Sequence, residues 1–394
     1  MDNGGRSIEV GRSLEVGSAS VLGSASEIGS VSGNGRRRLR VAQIAPLYEQ
    51  VPPKLYGGSE RVVSYITEEL VRRGHDVTLF ASGDSVTGAR LSPGCPQALR
   101  LHGKPELGAS LQLAMLAEVY DARDRFDIIH SHIDYWTFPL ARVTKMPTVS
   151  TMHGRLDITD LHPVYDQFPE AAVVSISDAQ RIPLPRMNWV DTVYHGLPPD
   201  LLKFSGDEGK YLAFIGRISP EKRPDLAIEI ANRSGVPLKI AAKVDAVDRE
   251  YFASVIKPLI KPPHIEYIGE INDAQKCGFL GGALALLFPI DWPEPFGLAM
   301  IEAMACGTPV IARPCGSVRE VMKPGVSGFV AAEIDELVAA VEKIPSISRA
   351  GCRRYFEERF TTEQMVDNYE RVYQRVIGLS RAEFETTQAA AASR

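Results

Sequence analysis

Glu294 and Glu302 stand eight residues apart in the run Glu294-Pro-Phe-Gly-Leu-Ala-Met-Ile-Glu302. Carboxylates accept hydrogen bonds from hydroxyl groups, and a Pro-Gly junction that opens a helix puts backbone N–H donors between them. The apolar, strand-like run Ala283–Phe288 leads in, and a helical run over 298–306 leads out, with Gly307 as the expected stop. Pro293 and Pro295 push Glu294 toward extended backbone on a loop rim, and Pro295 suits a first helical turn. On that count Glu302 lies about two turns in, roughly 10 Å along the axis at about 1.5 Å per residue. The amides around Phe296, Gly297 and Leu298 then form an anion site without any side chain. A ligand with hydroxyls at both ends and phosphate in the middle fits, which describes a nucleoside-diphosphate sugar.

A second cluster lies upstream, in Phe214-Ile-Gly-Arg217-Ile-Ser-Pro-Glu-Lys222-Arg223. An apolar strand ends there at Gly216, and Ser219-Pro220 reads as an N-cap followed by the first helical residue. Arg217 can hold a phosphate through two parallel N–H groups, and Lys222 adds a point charge. Either segment alone is compatible with an ordinary strand end and a solvated helix start. Together they supply cations, helix amides and hydroxyl acceptors for one nucleotide sugar. Lys243 ends a further strand, where its ammonium faces phosphate or solvent.

With both segments in view, the chain resembles the retaining glycosyltransferases of family 4, which have the GT-B fold. The match rests on the Glu294 and Glu302 pair, on Gly216-Arg217 with Lys222, and on Ala303-Met-Ala-Cys-Gly-Thr-Pro-Val-Ile311 and Gly325-Val-Ser-Gly-Phe-Val330. At the front, Tyr56-Gly57-Gly58-Ser59-Glu60 and Thr151-Met-His153-Gly154 also look like family elements, so the resemblance covers roughly residues 38–378. It implies a catalytic set of Arg217, Lys222, Glu294 and His153. Gly57, Gly58, Arg217, Lys222, Glu294, Phe296, Gly297, Leu298 and Glu302 would bind the donor, with His132 and Tyr56 on the acceptor side.

The reaction so implied moves a hexose, from a UDP-glucose-like or GDP-mannose-like donor, to a hydroxyl of a saccharide, a lipid-linked glycan or a small molecule. The anomeric configuration is retained, the acceptor attacking from the leaving-group face while the phosphate takes its proton. Arg217, Lys222 and the helix amides would hold the growing phosphate charge, so neither a metal nor another cofactor is expected. A sugar-nucleotide epimerase of the same architecture and a non-catalytic sugar-nucleotide-binding scaffold are the alternatives. His130-Ser131-His132 alternates as a strand does and turns both imidazoles to one face, but no third ligand at a telling spacing supports a metal. Gly57-Gly58 allows close backbone approach to a phosphate or acceptor, although the spacing is not that of a dinucleotide fingerprint.

The elements that must position these residues alternate in strand and helix periods, as in α/β layers around parallel sheets. Strands are expected at 39–45, 76–81, 127–132, 147–152 and 171–177, then at 211–215, 238–242, 264–268, 283–288 and 309–312. The first helix is expected at 59–73, with Val62, Val63, Ile66 and Leu70 on one face. A chain of 394 residues exceeds what one core usually holds. The expected division is a disordered Gly/Ser-rich tail (1–37), an N-terminal Rossmann-like acceptor domain (38–200) and a C-terminal Rossmann-like donor domain (201–361). From the resemblance, a crossover helix at about 362–378 returns to the first domain, and 380–394 is expected to fray.

Composition narrows the class further. A net charge of −5 gives no reason to expect nucleic acid, although Arg36-Arg37-Arg38-Leu39-Arg40 could touch an acidic membrane surface. The 5 cysteines are scattered, without the spacing of a disulfide framework or zinc site, which points to a reducing cytoplasm. Neither a signal-peptide core nor a run long enough to span a bilayer is seen, leaving peripheral contact at the inner membrane face open.

Overall fold

Short apolar runs build two parallel sheets in the computed structural model, which describes residues 37–55, 57–103 and 105–392. The expected tail (1–37) lies outside the described residues but for Arg37. The first sheet contains β1 Arg40–Ile44, β2 Asp76–Ser82, β3 Arg90–Cys95, β4 Ile128–Ser131, β5 Thr148–Thr151, β6 Val173–Ser175 and β7 Trp189–Thr192. Its order is β3-β2-β1-β4-β5-β6-β7. The second contains β8 Tyr211–Arg217, β9 Leu238–Lys243, β10 Ile265–Gly269, β11 Ala283–Phe288, β12 Val310–Ala312 and β13 Gly328–Val330, in the order β10-β9-β8-β11-β12-β13. Helices cover both faces, so central strands such as β4 and β11 are buried nearly throughout rather than alternating. These are two Rossmann-like domains, and their strand order reverses between β1 and β4 and between β8 and β11. In such sheets the crevice beyond the carboxyl ends at the reversal is where ligands bind.

Three strands lie outside the expected set. β3 carries Pro93 and Gly94 and sits at a sheet edge, where a residue without an N–H is tolerated. β7 and β13, of 4 and 3 residues, are too short to show a period.

The first helix, Gly58–Arg72, buries Val62, Val63, Ile66 and Leu70 against the first sheet. The two halves touch at several points. Arg61 on this helix pairs with Asp273, which opens the helix Asp273–Gly281 of the second half. Glu320, on the short helix Val318–Val321, accepts from the amides of Asp178 and Ala179 at 2.7 Å each. Leu197 then pairs with Thr361, and the helix Thr362–Ala392 carries the chain back to the first half. Arg73 binds Glu69, Asp367 and Glu370 there, and Tyr369 and Tyr373 are fully buried. This last helix does not end near 378 with a frayed stretch behind it; it continues to Ala392. Its Ala-rich end favours helix more than any other residue would.

Candidate active site

A cleft of about 410 Å³ opens at the carboxyl ends of both sheets. It is lined from the first half by Gly57, Gly58 and His153 and from the second by Arg217, Lys222, Glu294, Phe296, Gly297, Leu298 and Glu302. Tyr56 lies outside the described residues.

The second-half wall is built by short-range backbone geometry. After β11, the chain reaches Gly297 with φ of 82°, and a Cβ there would come within 2.6 Å of Met300 Cε. Only glycine meets both demands. The helix therefore begins at Leu298, three residues later than Pro295 would have started it. Its first bond runs from Met300 N to Gly297 O, which leaves the Leu298 and Ala299 N–H groups ahead of it at the cleft. Glu302 is consequently about one turn in, roughly 6 Å along the axis, rather than two.

Glu294 is not on a rim: only 9% of its surface is exposed. Its Oε2 accepts from Lys222 Nζ and, at 2.9 Å, from Trp292 Nε1. The loop around it is clamped from behind, because Ser317 N donates to Glu294 O at 3.0 Å and Ser317 Oγ to Phe296 O at 2.9 Å. Lys222 Nζ also lies 4.6 Å from the Trp292 ring centroid, which favours a cation over the ring face. Glu302 is likewise buried and accepts from Lys276 Nζ at 2.6 Å. Lys276 in turn stands 3.4 Å from Asp273, the partner of Arg61, so one chain of charges runs from Glu302 to the first half. At the end of β8, Arg217 Nη2 is 2.7 Å from Glu221 Oε1 and Nη1 is 3.8 Å from Asp245. Lys243, also on the cleft wall, pairs with Asp245 at 2.8 Å. An entering phosphate would compete with these carboxylates for the guanidinium.

The first-half wall is uncharged around its histidines. Gly57 has φ of 150°, and a Cβ there would stand 2.8 Å from Pro53 Cβ. At Gly58 a Cβ would lie 3.5 Å from Leu298 Cδ1, so the halves approach each other over bare backbone. Glu60, in the first turn of that helix, lines the cleft, and burial pushes its carboxyl up to about 7. His153 follows β5, and its Nε2 is 2.8 Å from His132 Nδ1. Burial lowers His153 to about 4 and holds His130, His132 and His195 well below the usual imidazole range, so all four are neutral near pH 7.

His132 was expected on the acceptor side, but it is 3% exposed and sits behind His153 rather than on the cleft wall. Its ring nitrogens meet His153 and Gln43, and those of His130 meet Tyr373 and Thr151. Every nitrogen of both rings is thus engaged by a protein partner.

The structure adds His195, which sequence reasoning missed. It lines the cleft, stacks on His153 with ring centroids 5.3 Å apart and meets the Phe296 edge at 5.0 Å. Its Nδ1 is buried without a hydrogen-bond partner among the described residues. A signal was present: His195-Gly196 stands shortly after β7, as His153-Gly154 stands shortly after β5. Lys276 and Arg61 were also missed, because their roles depend on Glu302 and Asp273 brought near by folding.

Known proteins resemble this chain in sequence and fold. Residues 56–193 match the family described as Glycosyltransferase Family 4, and residues 203–358 match Glycosyl transferases group 1. A D-inositol 3-phosphate glycosyltransferase of Geodermatophilus obscurus is 25% identical over 394 aligned positions, covering 80% of this chain and 84% of the relative. Among solved structures, AviGT4, a glycosyltransferase of avilamycin A biosynthesis, superposes with a TM-score of 0.67 at 21% identity, covering 86% of this chain and 98% of that one. Anabaena HepE, crystallised with UDP and glucose, also gives 0.67, at 16% identity and 86% and 100% coverage. The fold shared with these structures is GT-B.

Proposed function

This chain belongs to glycosyltransferase family 4, and we infer that it moves a hexose from a nucleoside-diphosphate sugar to an acceptor hydroxyl, with retention at the anomeric carbon and without a metal. One observation carries the reading: Arg217, Lys222, the N–H groups opening the Leu298 helix, Glu294 and Glu302 line one cleft. Cations and amides suit a diphosphate, and the carboxylates suit the hydroxyls of its sugars.

As the sugar C1–O bond breaks, negative charge grows on the leaving diphosphate. Arg217, Lys222 and the amides of Leu298 and Ala299 are fixed donors for that charge, so a divalent ion is not needed to hold it. Glu294 accepts from the sugar hydroxyls and Glu302 from the ribose. Neither serves as nucleophile, because they grip different parts of the donor rather than flanking one bond. The acceptor oxygen attacks from the face the phosphate leaves, and its proton passes to a phosphate oxygen.

The donor is UDP-glucose-like or GDP-mannose-like; the complex of HepE with UDP and glucose supports the first. The acceptor is a saccharide, a lipid-linked glycan or a small molecule, and the inositol-phosphate relative supports the last. No helix among the described residues is long and apolar enough to cross a membrane, and the five cysteines are free. We place the reaction in the cytoplasm, with a lipid-linked acceptor met peripherally at the inner membrane face.

Nucleotide release from UDP-, GDP- and ADP-sugars, with and without a mixed acceptor pool, tests this. Acceptor-stimulated release from one donor, unchanged by EDTA and reduced about tenfold or more in Glu302→Ala at donor concentrations well below KM, is the expected result, with NMR of the product showing the donor's anomeric configuration. Conversion of the donor with no acceptor present would assign an epimerase instead, and binding without turnover a scaffold.

A further inference from the structure

Behind the cleft, a buried line of hydrogen bonds runs from His153 to the last helix. His153 Nε2 meets His132 Nδ1 at 2.8 Å, and His132 Nε2 meets Gln43 Oε1 at 2.8 Å. Gln43 Nε2 donates to Tyr373 Oη at 3.1 Å, and Tyr373 Oη meets His130 Nδ1 at 2.7 Å. His130 Nε2 meets Thr151 Oγ1 at 2.7 Å, which meets Tyr369 Oη at 3.0 Å. Gln43, His130 and Thr151 are wholly buried, and so are Tyr369 and Tyr373.

In a buried line every proton must be assigned consistently, because an unmatched donor costs about 1–3 kcal/mol. Gln43 Oε1 has no proton, so His132 Nε2 carries one and donates. A neutral imidazole has a single N–H, so His132 Nδ1 is an acceptor and His153 Nε2 must donate to it. His153 Nδ1 is then a lone pair, on a side chain that lines the cleft. On the other side, Tyr373 accepts from Gln43 and donates to His130 Nδ1, and His130 Nε2–H donates to Thr151. All the bonds from His153 to Thr151 point one way, and bonds so aligned polarise one another. Turning the Gln43 amide end for end reverses every one of them and puts the proton on His153 Nδ1. Gln43 is therefore the member that selects the direction.

We propose that Gln43 is a positioning residue that, through His132, holds His153 in the Nε2–H tautomer, so that the cleft presents a neutral hydrogen-bond acceptor to a sugar hydroxyl. The role in transfer rests on the glycosyltransferase reading above; the tautomer itself does not. Tyr373, on the last helix, accepts from the Gln43 amide and so ties the line to that helix.

The test is the long-range 1H–15N spectrum of histidine-labelled full-length protein, with His153 assigned by its loss in His153→Asn. The wild type is expected to show His153 protonated on Nε2, and Gln43→Met to show both tautomers. Tyr373→Phe, which keeps the ring and removes the hydroxyl, is expected to give the same mixture to a smaller extent and covers the case in which Gln43→Met fails to fold. In transfer assays kcat should fall about tenfold in Gln43→Met with the donor KM within about twofold, the low end of what outer partners of a liganding imidazole contribute. A wild-type His153 protonated on Nδ1, or a tautomer unchanged in every folded variant, overturns the proposal. If the tautomers behave as expected but no nucleotide sugar is turned over, the transferase reading fails and the positioning assignment stands.

Discussion

The two walls of the cleft are made in different ways. The second-half wall carries many charges, most of the expected ones in two short stretches, Arg217 with Lys222 and Glu294 with Glu302, and Lys276 joins them. Each is held by an opposite charge: Arg217 by Glu221, Lys222 by Glu294 and Lys276 by Glu302. The first-half wall has its charged residues, Glu60, Arg61 and Arg100, apart from a neutral histidine patch, in which His153 and His195 come together after different strands, stacked and braced by residues as distant as Gln43 and Tyr373. A wall of ion pairs can trade partners when a charged ligand arrives. A wall of buried neutral hydrogen bonds cannot, so it defines shape and hydrogen-bond polarity instead.

Removing a charge from the first kind of wall should have the largest effect. Arg217→Ala is expected to lower kcat by about 10²–10³, as loss of one preorganised donor does, with little change in donor affinity. Glu302→Ala should do the reverse, weakening donor binding by about tenfold or more through a lost charged hydrogen bond, as measured by calorimetry. Equal effects of both variants on both quantities would erase the division of labour within that wall.

The link between the walls comes next. Asp273→Asn leaves Arg61, which is 5% exposed, without its full charge partner, and should cost about 1–3 kcal/mol in urea unfolding. An unchanged midpoint would mean the halves are held by the apolar cluster around Phe296 and Phe360 instead.

The neutral wall should reveal itself through pH. The folded-state pKa of His153 is lowered from 6.5 to about 4, and those of His130, His132 and His195 are lowered in the same direction by burial. Between these values the unfolded chain binds more protons than the folded one, so stability is fully present above about 6.5 and is lost as pH falls toward 4. The urea midpoint should therefore drop from pH 7 to pH 5, and less so in His195→Phe. The Glu60 carboxyl, raised to about 7, works in the opposite direction, so the profile is read in Glu60→Gln, where a flat line over that range would show that the histidines are solvated.

The smallest effect is expected from His195→Phe near pH 7. It keeps the stacking and removes a buried nitrogen with no partner, so thermal stability should hold or rise by about 1 kcal/mol while kcat/KM falls a few-fold. A loss of stability would point to an unseen partner for Nδ1.

Much of the second-half wall could be read from the chain because its groups are sequence neighbours. Gly297 must adopt a left-handed backbone, and the residues around it inherit their places from that turn. Even there the depth of Glu302 was overestimated: Pro295 is compatible with a first turn, while the left-handed turn at Gly297, packed on Met300 and Phe288, delays the helix to Leu298. Burial of Glu294 was equally invisible, being produced by Lys222, Trp292 and Ser317 closing over it. In the first half, His132 and His195 exchanged expectations. Strand alternation puts His130 and His132 on one face but does not say that the last helix covers that face with Tyr369 and Tyr373.

By itself, then, the amino-acid order determined the alternating α/β pattern, ten of the strands and the local frame of the Glu294 to Glu302 turn. These depend on backbone preference and hydrogen bonds between near neighbours. Only the tertiary structure decided which histidine meets the cleft, which carboxylates are buried and which way the protons of the buried line point. Those follow from sheet order and from a helix returning over two hundred residues later, contacts whose energy exists only once distant segments meet.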